Sequence, residues 1–449
     1  MHFDFDLVVI GGGSGGVRAA RVAAELGARV ALVEALKLGG TCVNAGCIPK
    51  KLLVYGAEFA HAFEDAAGYG FEPSNPAFDW TELLSRKDRE IARLNQLYER
   101  TLQRAGVELL SGHARFVDAH TVAVGPRRMR ARNVLIATGG APFVPKLAGR
   151  ELAITSDDAF HLPRLPERLT LVGAGYVGLE FASVFHALGV RVEIVQRGPQ
   201  VLSGFDQDVR EHLGATLRKQ GIAIHCGVEL CAIERDAAGL RAVLNDGAVL
   251  DCDAVMFATG RLPRTAGLGL SEVGVRTSAS GAVAVDRYGR SSLAHVYAVG
   301  DCTGGPGLTP VAIAEGQAVA RTMFGPAPEC IDHEHVPTAV FSLPPAASVG
   351  LPEHVARVRH PELDIYRSTF TPLLHSLSGR KEQSLVKLVV DRLSQRVLGC
   401  HMVGRDAPEI IQGFALALRL GACKRDFDAT IGVHPTAAEE FVTMRRPVS

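Results

Sequence analysis

Cys42 and Cys47 stand with four residues between them in the run GGTCVNAGCIPKK, residues 39–51. Two nearby thiols can exchange with a disulfide, because a thiolate attacks one sulfur and passes through a mixed disulfide. On a regular helix, positions five apart are separated by about 7.5 Å of rise, whereas bridged cysteines want Cα atoms within about 7 Å. Gly46 and Pro49 permit an irregular helical turn, and a strained bridge is the more reducible one. The spacing alone equally admits two inert, buried cysteines. Cys226 and Cys231 share it in IAIHCGVELCAI, residues 222–233, which reads as strand. There, positions five apart face opposite sides about 16 Å away from each other. What sets Cys42 and Cys47 apart is their surroundings: glycines before them, and Pro49, Lys50 and Lys51 after.

Two glycine runs offer chemistry of another kind. Gly11-x-Gly13-x-x-Gly16 follows an apolar strand and opens a helix. The first glycine allows the tight turn, the second lets backbone approach a pyrophosphate, and the third lets helix and strand pack closely. The helix N-terminus adds donors and partial positive charge. Glu34 closes the next strand, where a carboxylate can accept from ribose hydroxyls. Gly173-x-Gly175-x-x-Gly178 repeats the frame, and the repeat is in register: Gly11 to Glu34 and Gly173 to Gln196 are both 23 residues. The acid is replaced by Gln196, followed by Arg197. Losing the acid removes repulsion of a ribose 2′-phosphate, and a guanidinium can pair with it, which favours NADPH over NADH. Two units imply two nucleotides. A nicotinamide delivers hydride, a disulfide is opened through thiolates, and a flavin joins the two chemistries.

The elements that must position these residues read as two βαβ units, over 5–34 and 169–196. Between them, residues 50–110 look mainly helical and polar. Residues 134–140 (VLIATGG), 255–260 (VMFATG) and 296–301 (VYAVGD) read as buried strands ending in glycine or an acid, and 142–166 as a linker with prolines. From about 336 the pattern changes to alternating strands with helices at 408–420 and 436–445, an α+β arrangement.

The chain has 449 residues, 47% of them hydrophobic, which suits a multidomain globular protein. Lys plus Arg balances Asp plus Glu at 48 each, so nothing favours nucleic acid or an anionic membrane as partner. Nine cysteines, an odd number, argue against a disulfide-stapled secreted framework. The N-terminal run shows no secretory signal and no long uncharged apolar stretch follows, so a cytoplasmic location is expected. No metal site is expected.

On these motifs the chain resembles the class I pyridine nucleotide-disulfide oxidoreductases. GGTCVNAGCIPKK is similar to the family's redox motif, GAGYVGLEFA to its NADPH turn, AVGDCTGGPGLTPVAIAEG to its second FAD segment and HPTAAEEFVTMR to its C-terminal catalytic segment. The resemblance implies an α/β fold with two Rossmann-like FAD/NAD(P)-binding domains plus a C-terminal α+β dimerisation domain. The expected division is 1–142 for FAD binding (with a helical excursion at 50–110), 143–263 for NAD(P)H binding, 264–334 for a central domain completing the FAD site and 335–449 for dimerisation.

The resemblance also implies roles. Cys47 would face the flavin as the charge-transfer thiolate, and Cys42 would attack the substrate disulfide. His434, held by Glu439, would be the acid-base, reaching the disulfide of a second copy in a homodimer. Lys50 and Glu180 would pair beside the flavin, and Tyr176 would cover the nicotinamide pocket. FAD would be held by Gly11, Gly13, Ser14, Gly15, Glu34, Thr41, Cys42, Lys50, Ala114, Thr138, Gly139, Asp301 and Thr309. NADPH would be held by Gly173, Gly175, Tyr176, Val177, Arg197, Gly260 and Arg261. A second family arginine for NADPH falls on Ser203, which keeps NADH open as an alternative.

The Lys50-Lys51 pair favours the glutathione- and trypanothione-reducing branch over dihydrolipoamide dehydrogenase, the enzymatic runner-up. Oxidised glutathione is the expected substrate, with Ser14, Arg21 and Tyr98 at pocket positions. Arg18 lies on the same helix face as Arg21, and two arginines suit an anionic disulfide rather than cationic trypanothione. A second substrate-binding arginine of the family falls on Gln317. A related disulfide such as glutathione amide stays an alternative, as does a flavin-binding redox sensor without turnover.

Overall fold

The computed structural model describes residues 2–72, 76–237, 239–330 and 332–448. These gather into two compact units. One contains residues 1–50, 82–143 and 260–333, the other residues 51–81, 144–259 and 334–449.

The first unit grows from the apolar runs at 5–10, 30–34 and 131–136. Strands Phe5–Ile10, Val30–Glu34, Glu108–Ser111 and the end of Arg127–Ile136 pair in parallel, and Val296–Ala298 joins the far side of the last. Strands Thr121–Val124 and Ala114–Asp118 continue the sheet antiparallel. Both faces are covered, which is why the strands are apolar at successive positions rather than alternate ones. Leu7, Val9, Leu32 and Leu135 pack on the alanine-rich helix Ser14–Glu25, through Ala19, Ala20 and Ala23. Val8, Ile10, Val33, Val134 and Ile136 fill the opposite core.

The second unit repeats the plan with Arg168–Val172, Arg191–Gln196, Ala223–Cys226 and Ala254–Phe257. The expected 142–166 linker adds a strand of its own, Ile154–Thr155, parallel to Ala254–Phe257. A three-stranded antiparallel sheet follows, from Leu230–Asp236 to Val249–Cys252. Then comes a five-stranded antiparallel sheet containing Leu363–Phe370, Ser384–Asp391 and Val397–Val403. Helix Ala407–Arg419 packs on it through Ile411, Ala415 and Leu418.

Three expectations change. The strand read across 222–233 is two strands in different sheets, because Gly227 turns the chain at φ 76°. The helix read at 436–445 is a short 3₁₀ turn, Ala437–Glu439, followed by Glu440–Thr443. The strand read at 134–140 ends at Ile136.

Candidate active site

The cysteine loop is shaped by glycines. Gly39 and Gly40 take φ 92° and 58°, which side-chain-bearing residues rarely adopt. A Cβ on Gly40 would lie 2.7 Å from the Gly13 Cα, so the loop sits directly against the first nucleotide turn. Helix Gly40–Asn44 then breaks at Ala45, and Cys47 begins the helix Cys47–Ala66. This break removes the objection of regular helical spacing. Asn44 Nδ2 donates to the Leu38 and Gly40 carbonyls, and Asn95 Nδ2 donates to Leu38 O and Asn44 Oδ1 at 2.8 and 2.9 Å. Both asparagines escaped the sequence reading, since a polar residue on a helix resembles a solvated one.

Cys42 is half-buried and Cys47 exposed. Hydrogen bonding to Cys47, burial and the charge of Cys47 push the Cys42 thiol far above its ordinary value; Thr309 and Ser14 pull the other way and lose. Of the two sulfurs, Cys42 is therefore the one held in the thiol form. Cys47 Sγ lies 3.6 Å from Thr309 Oγ1, and Thr309 opens the helix Thr309–Phe324. Cys47 is also the first residue of its own helix. The partial positive charge at helix N-termini favours a thiolate there. Elsewhere, burial pushes Cys302 up to about 11 and raises Cys252 and Cys400 as well, which leaves them inert.

In the first nucleotide turn, Gly11 takes φ 109° and its Cβ would strike the Ala137 carbonyl oxygen at 2.3 Å. A Cβ on Gly16 would lie 1.9 Å from Gly11 O, and on Gly178 2.0 Å from Gly173 O. The third glycine of each run therefore has no substitute. At the second glycines the space is open: Gly175 has nothing within 4 Å of a built Cβ, and Gly13 only a Cα at 3.8 Å. Glu34 accepts the Gly12 and Leu36 amides at 2.6 and 2.7 Å. Gln196 accepts the Ala174 amide at 3.0 Å.

Other expected cofactor residues take these places. Asp301 is half-buried beside Gly140 and Gly307, and among the described residues nothing donates to its carboxylate. With the open backbone at Gly13, this suits a hydroxylated, pyrophosphate-bearing cofactor such as FAD. Arg261 Nη2 donates to Gly140 O at 2.6 Å and to Thr41 Oγ1 at 3.3 Å. Gly139 and Gly260 take φ 65° and 111°. Ala114 is buried at the head of its strand, and Thr138 follows the end of Arg127–Ile136. Lys50 is half-buried on the Cys47–Ala66 helix, while Glu180 is buried and accepts the Phe341 amide at 2.9 Å. Tyr176 opens the helix Tyr176–Ala187, 42% exposed, and Val177 follows it half-buried. The Arg197 side chain is 85% exposed, 3.8 Å from Glu229, and Ser203 is exposed.

His434 and Glu439 come together at 3.1 and 3.2 Å through Nδ1. Glu439 also accepts the Thr436 amide at 3.3 Å. A carboxylate on Nδ1 fixes that proton and leaves Nε2 as the exchanging nitrogen. The His434 side chain is 80% exposed. Of the residues expected in a substrate pocket, Ser14 is among the groups that lower the Cys42 thiol, the charge of Cys42 helps raise the Tyr98 phenol, and Arg21 is ion-paired with Glu25 at 3.3 Å.

A dithiol seated against one nucleotide turn, with a second turn for a nicotinamide, defines a nucleotide-driven disulfide oxidoreductase. The chain belongs to the pyridine nucleotide-disulphide oxidoreductase family, whose model matches residues 5–316; the model of the family's dimerisation domain matches residues 336–445. It is 52% identical over 443 residues to a glutathione reductase of Burkholderia cepacia, covering 99% of both chains. It is 46% identical to a glutathione reductase of Nostoc sp., covering 99% of this chain and all of that one. It is 44% identical to the chloroplastic/mitochondrial glutathione reductase of Pisum sativum, covering 99% of this chain and 83% of that one.

Proposed function

We propose that the protein passes electrons from NADPH through FAD and the Cys42–Cys47 disulfide to oxidised glutathione, giving two molecules of reduced glutathione. The observation that carries this is the asymmetry of the thiols, Cys47 at two helix N-termini and Cys42 driven to hold the proton. FAD, when bound, is the two-electron relay that reopens the cysteine disulfide. A Cys42 whose thiol is held protonated needs a base, and the His434–Glu439 pair supplies one. The Cys42 thiolate attacks one substrate sulfur and forms a mixed disulfide. His434 gives the proton to the departing glutathione thiolate. Cys47 then attacks the Cys42 sulfur, restoring the disulfide and expelling the second glutathione as its thiolate, which takes its proton from water.

Lys50 and Glu180 keep flavin-side roles in this reading, Tyr176 and Arg197 the NADPH roles, and Ser14, Tyr98 and Arg21 the substrate roles. The division at 142, 263 and 334 belongs to the same proposal. So does a homodimer in which His434 and Glu439 complete the site of the second copy. Its support is the matched dimerisation domain, the exposure of His434, and Tyr55, Phe59 and Phe63, exposed at helical spacing along one face. A cytoplasmic setting completes the reading; among the described residues no helix is long and apolar enough to cross a membrane.

A steady-state comparison of oxidised glutathione, lipoamide and trypanothione, each with NADPH and NADH, tests the assignment. Glutathione with NADPH is expected to be fastest, and Cys42→Ser to abolish it while flavin stays bound. Full turnover in that variant would sink the proposal.

A further inference from the structure

Helices Ser14–Glu25 and Thr309–Phe324 touch backbone to backbone: a Cβ on Gly316 would lie 2.3 Å from the Gly15 carbonyl oxygen. Beside that contact, Arg18 Nη1 donates to Gln317 Oε1 at 3.0 Å. Arg18 lies one helical turn after Ser14, on the same face, and Ser14 is among the groups that lower the Cys42 thiol. Across from it, the Tyr98 phenol is raised by burial and by the charge of Cys42, and lowered by Arg18. Ser14 and Arg18 follow the turn against which Gly40 packs, and Tyr98 lies one helical turn beyond Asn95, which donates to Asn44, so all three stand on the elements that flank the Cys42 loop.

The guanidinium carries five donors and cannot shed its charge. Gln317 is neutral, so it orients Arg18 without neutralising it. Among the described residues no carboxylate pairs with Arg18, although Arg21 on the same helix is paired with Glu25. A half-buried cation held in place with no anion is costly unless a ligand supplies one. The ligand that must come within reach of Cys42 is the substrate.

We propose that Arg18, positioned by Gln317, binds a carboxylate of the disulfide substrate and is the residue that selects anionic disulfides. This rests on the proposed glutathione activity. Gln317, which the sequence presented as a missing guanidinium, becomes the clamp for one placed on the neighbouring helix.

The test uses flavin-loaded enzyme with oxidised glutathione and with its fully amidated counterpart. In Arg18→Met the KM for the acid is expected to rise about 10- to 100-fold, as for loss of a charge-assisted hydrogen bond. The KM for the amide should change less than about 2-fold on the same scale. Gln317→Glu should reproduce the acid-specific loss, because its carboxylate neutralises Arg18 without removing it, and Arg18→Lys should recover part of it. An unchanged KM for the acid in Arg18→Met, or an equal loss on both substrates, would overturn the proposal alone. A wild type inert toward oxidised glutathione overturns the proposed activity and this inference together.

Discussion

Gln196 accepts the Ala174 amide at 3.0 Å in the register where Glu34 accepts the Gly12 amide at 2.6 Å, each 22 residues from its partner. The two nucleotide units are thus equivalent down to a single hydrogen bond, and they differ in the charge of the acceptor. A carboxylate at the second site would keep the turn and repel a 2′-phosphate. Gln196→Glu is therefore expected to lower kcat/KM for NADPH by about 10- to 100-fold and leave that for NADH equal or higher. Arg197 is available to the phosphate, because an exposed pair 3.8 Å from Glu229 holds it weakly. Steady-state kinetics with both nucleotides decide; equal losses on both would mean that Gln196 acts through the turn and not through charge.

The proton on Cys42 is held there chiefly by Cys47. Replacing Cys47 with serine removes a neighbouring negative charge and leaves Ser14 and Thr309 in place. Cys42 in Cys47→Ser should then ionise at lower pH than Cys42 in the reduced wild type. Alkylation rate against pH, with the modified peptide identified by mass spectrometry, measures this. Coincident pH midpoints would refute the account of which sulfur carries the charge.

The two nucleotide units were legible because their signals are local. Gly11, Gly16 and Glu34 act within one βαβ unit, and so do Gly173, Gly178 and Gln196. His434 and Glu439 were named only through the family resemblance, because taken alone His434 reads as a loop histidine before Pro435. The Cys47–Thr309 contact spans 262 residues and the Arg18–Gln317 contact 299, and no pattern within a window reports either. Cys226 and Cys231 misled because one glycine turned an apparently continuous strand. Lys387 was not legible either: a lysine within SLVKLVVD carries no local sign of burial, yet every residue of Ser384–Asp391 is buried.

Gly316 is where helix packing leaves no room. Its Cβ would meet backbone, the Gly15 carbonyl oxygen at 2.3 Å, and backbone cannot rotate aside. Gly316→Ala must push apart the helices Ser14–Glu25 and Thr309–Phe324. The expected cost is about 1–3 kcal/mol, the range for overpacking a filled core. A urea unfolding midpoint below that of wild type checks it. An unchanged midpoint would show that these helices slide past each other at no cost.

Lys387 Nζ donates to Asp206 Oδ1 at 2.9 Å, and to Asp208 Oδ2 and Glu353 Oε2 at 2.6 Å each, with no exposure of its own. Burial works against the charge on Lys387, but Asp206 and the hydrogen bonds to Asp208 and Glu353 win and raise its pKa. Burial likewise opposes Asp206 and Glu353, and their neighbours, Lys387 among them, bring both below the carboxylate range. The depressed carboxylates stabilise the fold above about pH 4 and lose that contribution as pH falls through their folded values. The raised lysine contributes fully below about pH 10.4 and loses it as pH rises through its folded value. Asp206 caps the helix Gln207–Gln220, so the cluster ties that helix to the strand Ser384–Asp391. Arg357 and Arg367 remain for Glu353 and Asp208, but Asp206 would be left buried without its cation. Lys387→Met is therefore expected to cost about 3–5 kcal/mol at neutral pH, as for breaking one side of a buried ion pair. The deficit should shrink below about pH 4, where the carboxylates protonate and no longer need the lysine. Thermal unfolding of both proteins from pH 7 down to about pH 3, below the ordinary carboxylate values, reads this directly, and midpoints that fall in parallel throughout would show that the lysine acts through packing alone.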